Sequence, residues 1–114
     1  MTKTRIEKGA RGEEAACRFL ENLGYLILHR NLRLSHLEID LVCRDGDCLV
    51  FVEVKNSPAG AFGHPATWVG EDKQGKLRRA AELYLQKYPS PGLDIRFDVV
   101  TIIKGEIEHF PNAF

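Results

Sequence analysis

The sequence predicts a single α/β domain spanning residues 1–114, and three observations point to it. Two apolar-rich runs between Leu37 and Lys55 flank Asp45-Gly46-Asp47, the turn chemistry of a tight β-hairpin. Two other stretches carry apolar residues at three- and four-residue steps, the period of a helix buried on one side. The run DIRFDVVTII at 94–103 follows the second of these, so it reads as a buried strand reached by a helical crossover and therefore parallel to a neighbour. The element order is α, β, hairpin, α, β, β. A chain of 114 residues suits one domain and can bury a core without staples.

Taken in order, the opening residues to about Gly9 are polar and are expected to be flexible. From Arg11 to Leu23 the stripe Ala16, Phe19, Leu20 and Leu23 predicts a helix that Gly24 ends. One step back along that stripe stands Glu13, an acid on the inward side of the first turn. It either serves the positive end of the helix dipole or faces a site. Tyr25 to Arg30 reads as a short strand, and Arg30, Asn31 and Arg33 after it are either loop residues or phosphate contacts. After the hairpin comes NSPAGAFGHPATWVG at 56–70, a long loop that starts beside Lys55 and carries Phe62, His64 and Trp68.

A second helix is predicted over Glu71 to Tyr88, buried through Leu77, Ala80, Ala81, Tyr84, Leu85 and Tyr88 and stopped by Pro89. Lys73, Lys76, Arg78, Arg79 and Lys87 make it the most basic element, as a solvated face or as a surface that tracks nucleic-acid phosphates. Gln74 lies on or near its inward side. Lys104-Gly105 turns the chain from the parallel strand into a short edge strand at Glu106 to Phe110.

The chemistry gathers on the hairpin. Side chains alternate along a strand and opposed residues share a face, so any two- or four-residue connection gives the same partition. One face holds Ile39, Leu41 and Cys43 with Val50, Val52 and Val54. The other holds Glu38, Asp40 and Val42 with Leu49, Phe51, Glu53 and Lys55. Asp40 lies opposite Glu53 if the turn is Gly46-Asp47 and diagonal to it if the turn is Asp45-Gly46. Two carboxylates about 5 Å apart repel by roughly 3 kcal/mol at a dielectric near 20. A divalent cation, the Lys55 ammonium or protonation of one acid offsets that, and a hard cation suits an all-oxygen face best. A lysine on the same face can orient a water bound at such an ion. The alternative is the solvated face of an amphipathic hairpin. Phe51 and the apolar second strand favour acids set in a cleft.

Composition narrows the class. With 44% hydrophobic and 28% charged residues and a formal net charge of zero, the chain reads as a soluble protein whose global charge does not announce nucleic-acid binding. No apolar run approaches a membrane span and no signal-peptide pattern opens the chain, which predicts a cytoplasmic protein. Cys17, Cys43 and Cys48 are expected as reduced thiols, and the four histidines show no metal-ligand spacing.

Asp40, followed by Glu53-Val54-Lys55, resembles the lone aspartate and E-x-K of the PD-(D/E)XK nuclease superfamily. Glu13 is similar to the helical glutamate of the branch that includes archaeal Holliday junction resolvases. Nearly end to end, through GARGEEAACRFLENLGY, EIDLVCRDGDCLVFVEVK, Lys73-Gln74 with RRAAELYL, RFDVV and the final NAF, the chain resembles the YraN family of bacterial proteins, described as predicted endonucleases. It departs at Leu37, where the family pattern has Gly, and at Asn56-Ser57, where a basic residue is usual.

The resemblance implies a restriction-endonuclease-like three-layer fold, a central mixed sheet of about five strands flanked by helices. It implies Mg²⁺ or Mn²⁺ held by Asp40, Glu53, the Val54 carbonyl and Glu13, with Lys55 positioning the attacking water and Gln74 or Lys73 lining the site. The implied activity is metal-dependent hydrolysis of DNA, on branched or damaged structures, with a homodimer suited to cutting two strands. The alternative is a non-catalytic nucleic-acid-binding or protein-partner module that keeps the fold, for which Lys73, Arg78 and Arg79 matter and Glu53 does not.

Overall fold

The computed structural model describes residues 5–56 and 69–114 of the chain. Residues 1–4 of the expected flexible start, and Phe62, His64 and Trp68 of the long loop, lie outside the described residues. Seven elements follow one another: α1 (Arg5–Asn22), β1 (Leu26–Leu34), β2 (Leu37–Asp45), β3 (Cys48–Asn56), α2 (Glu71–Lys87), β4 (Asp94–Ile103) and β5 (Glu106–Phe110). The five strands form one mixed sheet in chain order. β3 and β4 are parallel and every other neighbouring pair is antiparallel.

The sheet lies between the two helices because each strand offers alternate apolar residues to opposite sides. Val42, Leu49, Phe51, Phe97 and Val99 pack with Leu77, Ala80, Ala81 and Tyr84 of α2. Leu41, Cys43, Val50, Val52 and Val100 pack with Ala16, Cys17 and Leu20 of α1. Phe51 anchors the α2 layer, edge-on to Tyr84 at 5.4 Å and stacked on Phe97 at 5.7 Å between ring centroids. Phe114 returns to stack on Phe97, and the Ala113 N–H donates to the Phe97 carbonyl.

The two-residue turn is Gly46-Asp47, with Asp45 paired to Cys48, and Gly46 takes a φ of +57°, a region open to glycine. Lys104 and Gly105 both have positive φ, the two-residue turn whose twist suits a hairpin.

Four expectations are corrected. Helix α1 starts at Arg5, before the expected Arg11, because Glu7, Lys8 and Ala10 are good helix formers and one Gly9 costs only about 1 kcal/mol. Its buried stripe is Ala16, Cys17 and Leu20, while Leu23 is exposed because the sheet has already turned away. β1 runs four residues beyond Arg30, to Leu34, since the alternation of Leu32 and Leu34 outweighs the intervening charges. Ile39 belongs to the α2-side cluster with Val42 and Phe51, not to the Leu41 side, so the alternation breaks at Asp40.

Candidate metal and nucleic-acid site

The break at Asp40 makes the site. The β2–β3 ladder runs from Asp45 and Cys48 to Leu41 and Val52 and goes no further. On the other side, the β1–β2 ladder omits Asn31 and Asp40. Asn31 has a φ of +50°, a left-handed conformation that asparagine tolerates better than most residues. Asp40, opposite Asn31 but outside the ladder pairs, turns its carboxylate toward β3, where Oδ2 accepts the Val54 N–H at 2.8 Å. A residue's N–H and C=O leave an extended strand on one edge, so the Val54 carbonyl faces the gap between β2 and β3.

Glu53 projects to the α2 side, where Lys73 in the first turn of α2 brings its Nζ to 3.9 Å from Glu53 Oε2. That oxygen is buried and has no hydrogen-bond partner among the described residues. Burial first, and the Asp40 carboxylate second, push the Glu53 carboxyl up to about 7, with Lys73 and Lys55 pulling the other way. Burial also raises Asp40, against the Val54 N–H and the same two lysines. Asp40, Glu53, Lys55 and Lys73 therefore form one electrostatic unit around the parting of β2 and β3.

Glu13 reaches this unit from the α1 layer. Burial raises its carboxyl, a hydrogen bond with Asn31 lowers it, and Asp40 and Glu38 raise it again. It is Asp40 that the structure brings near Glu13. Among the described residues no three Asp, Glu, His or Cys side chains gather as a metal-holding group. The oxygens a cation could draw on are those of Asp40, Glu53 and Glu13, plus the Val54 carbonyl. A hard divalent cation fits this set, because a buried carboxylate oxygen without a donor is the atom such an ion satisfies.

The remaining predicted residues divide. Gln74 donates its side-chain amide to the Val69 carbonyl at 2.8 Å, bracing the entry to α2. Arg78, itself exposed, lies over the Phe97 and Phe114 rings at 5.1 and 5.6 Å. Lys76 and Arg79 line a groove of about 470 Å³ together with His36, Leu37, Asp72 and Gly75, and Arg79 also pairs with Glu82 at 3.1 Å. The basic residues of α2 thus serve three surroundings.

A model of the uncharacterised protein family UPF0102 matches residues 12–102. The chain belongs to UPF0102. The likeness to YraN-type proteins holds at the level of that family. The UPF0102 protein of Syntrophomonas wolfei is 45% identical over 112 residues, covering 95% of this chain and 97% of its own. That of Dictyoglomus turgidum is 40% identical over 114 residues, with coverage of 95% and 97%. That of Chlorobium phaeobacteroides is 42% identical over 116 residues, with coverage of 93% and 92%. The UPF0102 match spans all of Glu13, Asp40, Glu53, Lys55 and Lys73.

Sequence reasoning missed two features of this UPF0102 chain. The first is the role of Asn31, which the sequence offered as a loop residue or a phosphate contact and which instead lies within β1 and hydrogen-bonds Glu13. The second is a buried network on β4. Asp98 is fully buried and accepts from Arg96 Nε at 2.8 Å, from the Asn112 N–H at 2.9 Å and, with the proton on that nitrogen, from His109 Nε2 at 2.7 Å. Arg96 also donates to Tyr25 Oη and to Asp45, joining β4 to the residue before β1 and to the end of β2. A lone aspartate in the apolar run FDVV was the available sign. No helix among the described residues is long and apolar enough to cross a membrane.

Proposed function

We propose that this protein is a metal-dependent endonuclease that hydrolyses phosphodiester bonds in DNA, with branched or damaged structures as the substrates that its resemblance to junction resolvases suggests. The observation that carries the reading is the Glu53 carboxylate, buried and coupled to Asp40, with one oxygen that has no hydrogen-bond partner among the described residues. Two acids in one partly dry gap are costly as structure, and they are what a phosphoryl-transfer site needs to hold a cation.

In this reading Asp40, Glu53 and the Val54 carbonyl hold Mg²⁺ or Mn²⁺, and Glu13 backs Asp40 from the α1 layer. When bound, the ion supplies Lewis-acid stabilisation of the scissile phosphate and eases deprotonation of the attacking water. The Val54 N–H fixes the Asp40 carboxylate, so its geometry is set before substrate arrives. Lys55, two residues past Glu53 on the same side of β3, orients the attacking water and balances the acids. Lys76 and Arg79, with His36 in the groove they line, contact phosphates away from the cleaved bond. Gln74 acts by holding the start of α2.

The test is cleavage of labelled four-way junction and flap DNA in 5 mM Mg²⁺ or Mn²⁺. We expect ion-dependent products in wild type, and rates lower by about a hundredfold or more in Lys55→Ala and Asp40→Asn, on the scale of losing one electrostatic group. Salt-dependent DNA binding that survives Glu53→Gln, with no cleavage by wild type in either ion, supports a non-catalytic binding module instead.

A further inference from the structure

Lys73 and a metal ion call on the same atom. Lys73 Nζ lies 3.9 Å from Glu53 Oε2, the buried oxygen that has no hydrogen bond among the described residues, and at that separation the contact is one of charge alone. The two partners differ in freedom. The Lys73 side chain is 41% exposed and can swing into solvent, whereas Glu53, at 8%, is held by the strand and by the layer above it. Lys73 also acts on Asp40, so in the metal-free protein it serves both acids. A divalent cation seated on Asp40 and Glu53 takes the lone pairs that Lys73 faces and repels the ammonium.

The direction in which Lys73 can leave is set by its place in α2. Its helix neighbours Asp72 and Lys76 line the groove against His36 and Leu37. A displaced ammonium there lies where a phosphate of a strand entering the site would pass.

We propose that Lys73 is a placeholder for the metal: it neutralises Glu53 until a divalent cation displaces it, and it then contacts a nucleic-acid phosphate. Resting on the nuclease reading, this makes ion binding and nucleic-acid binding strengthen each other, because one residue is released by the first and used by the second. Lys73 is thus a positioning residue in the metal-free protein and a phosphate contact in the loaded one.

The experiment uses the full chain carrying Lys55→Ala, so that bound DNA stays intact. Calorimetry gives the Mn²⁺ affinity without DNA, and fluorescence anisotropy gives the affinity for a flap-bearing DNA duplex with and without Mn²⁺. With Lys73 present, Mn²⁺ is expected to tighten DNA binding about tenfold, within the usual range of such couplings. Adding Lys73→Met should tighten Mn²⁺ binding in the absence of DNA about fivefold and reduce the effect of Mn²⁺ on DNA to about twofold. Lys76→Met, which removes an equal charge one turn along, should leave Mn²⁺ affinity within about twofold. Unchanged or weaker Mn²⁺ binding in Lys73→Met, or a coupling that persists there, overturns the proposal. If Mn²⁺ does not bind, or binds equally in Glu53→Gln, the nuclease reading itself fails and the placeholder with it.

Discussion

Asp98→Ala is expected to lower stability by about 3–5 kcal/mol, the cost of stripping one partner from a buried charged network. The residue is fully buried and holds Arg96, His109 and the Asn112 N–H at once. Without it, the Arg96 guanidinium, whose side chain is 18% exposed, keeps only Asp45 and Tyr25. For a chain of this size that loss corresponds to roughly 12–20 °C in Tm, and a thermal melt followed by circular dichroism reads it. Burial alone would raise the Asp98 carboxyl, but His109, Arg96 and the Asn112 N–H outweigh it and hold the carboxyl below its usual range. Its contribution is therefore complete above the unfolded value of 3.8 and is lost as pH falls through the lower folded value. Wild type should lose stability in that acid range faster than Asp98→Ala. Equal acid profiles, or a Tm change under about 4 °C, contradict this account of β4.

Glu53→Gln should do the reverse and stabilise the metal-free protein, by on the order of 2 kcal/mol at pH 8. Glu53 has a folded value of about 7 against an unfolded 4.5, raised by burial and then by Asp40. Stability linked to this group is fully present below 4.5 and is lost as pH rises through 7. The Tm of wild type in chelator should therefore fall between pH 5 and pH 8, and that of Glu53→Gln should stay nearly level. A stabilising substitution that abolishes activity marks an acid kept for chemistry, not for folding. If Glu53→Gln melts below wild type at pH 8, the two acids do not burden the fold as described.

Much of the architecture was legible because it is written in local patterns. The hairpin itself, the shared face of Leu41 and Val52 and the bounds of β4 and β5 follow from period-two alternation and turn chemistry, while the structure selects Gly46-Asp47 among the turns the sequence left open. That Asp40, Glu53 and Lys55 act on one another electrostatically was foreshadowed by the same alternation, although the β2–β3 ladder stops before Asp40. What could not be read depends on where strands part company. Strict alternation put Ile39 beside Leu41, but Asn31 and Asp40 leave the ladders, and Ile39 moves to the α2 side. A helical wheel placed Lys73, Lys76, Arg78 and Arg79 on one basic helix. Only the packing of the C-terminal residues shows Arg78 lying over Phe97 and Phe114 while Lys73 turns to Glu53. The Asp98 network joins residues 73 positions apart, beyond the reach of any spacing rule.

On the proposed function, the gap between β2 and β3 binds one divalent cation through Asp40 and Glu53. Titrating Mn²⁺ into the metal-free protein at pH 8, followed by the loss of its free paramagnetic signal, tests it most directly. One ion per chain in wild type, with binding abolished in both Asp40→Asn and Glu53→Gln, is the predicted result. Mn²⁺ binding that is absent in wild type, or that is undiminished in both variants, would contradict it.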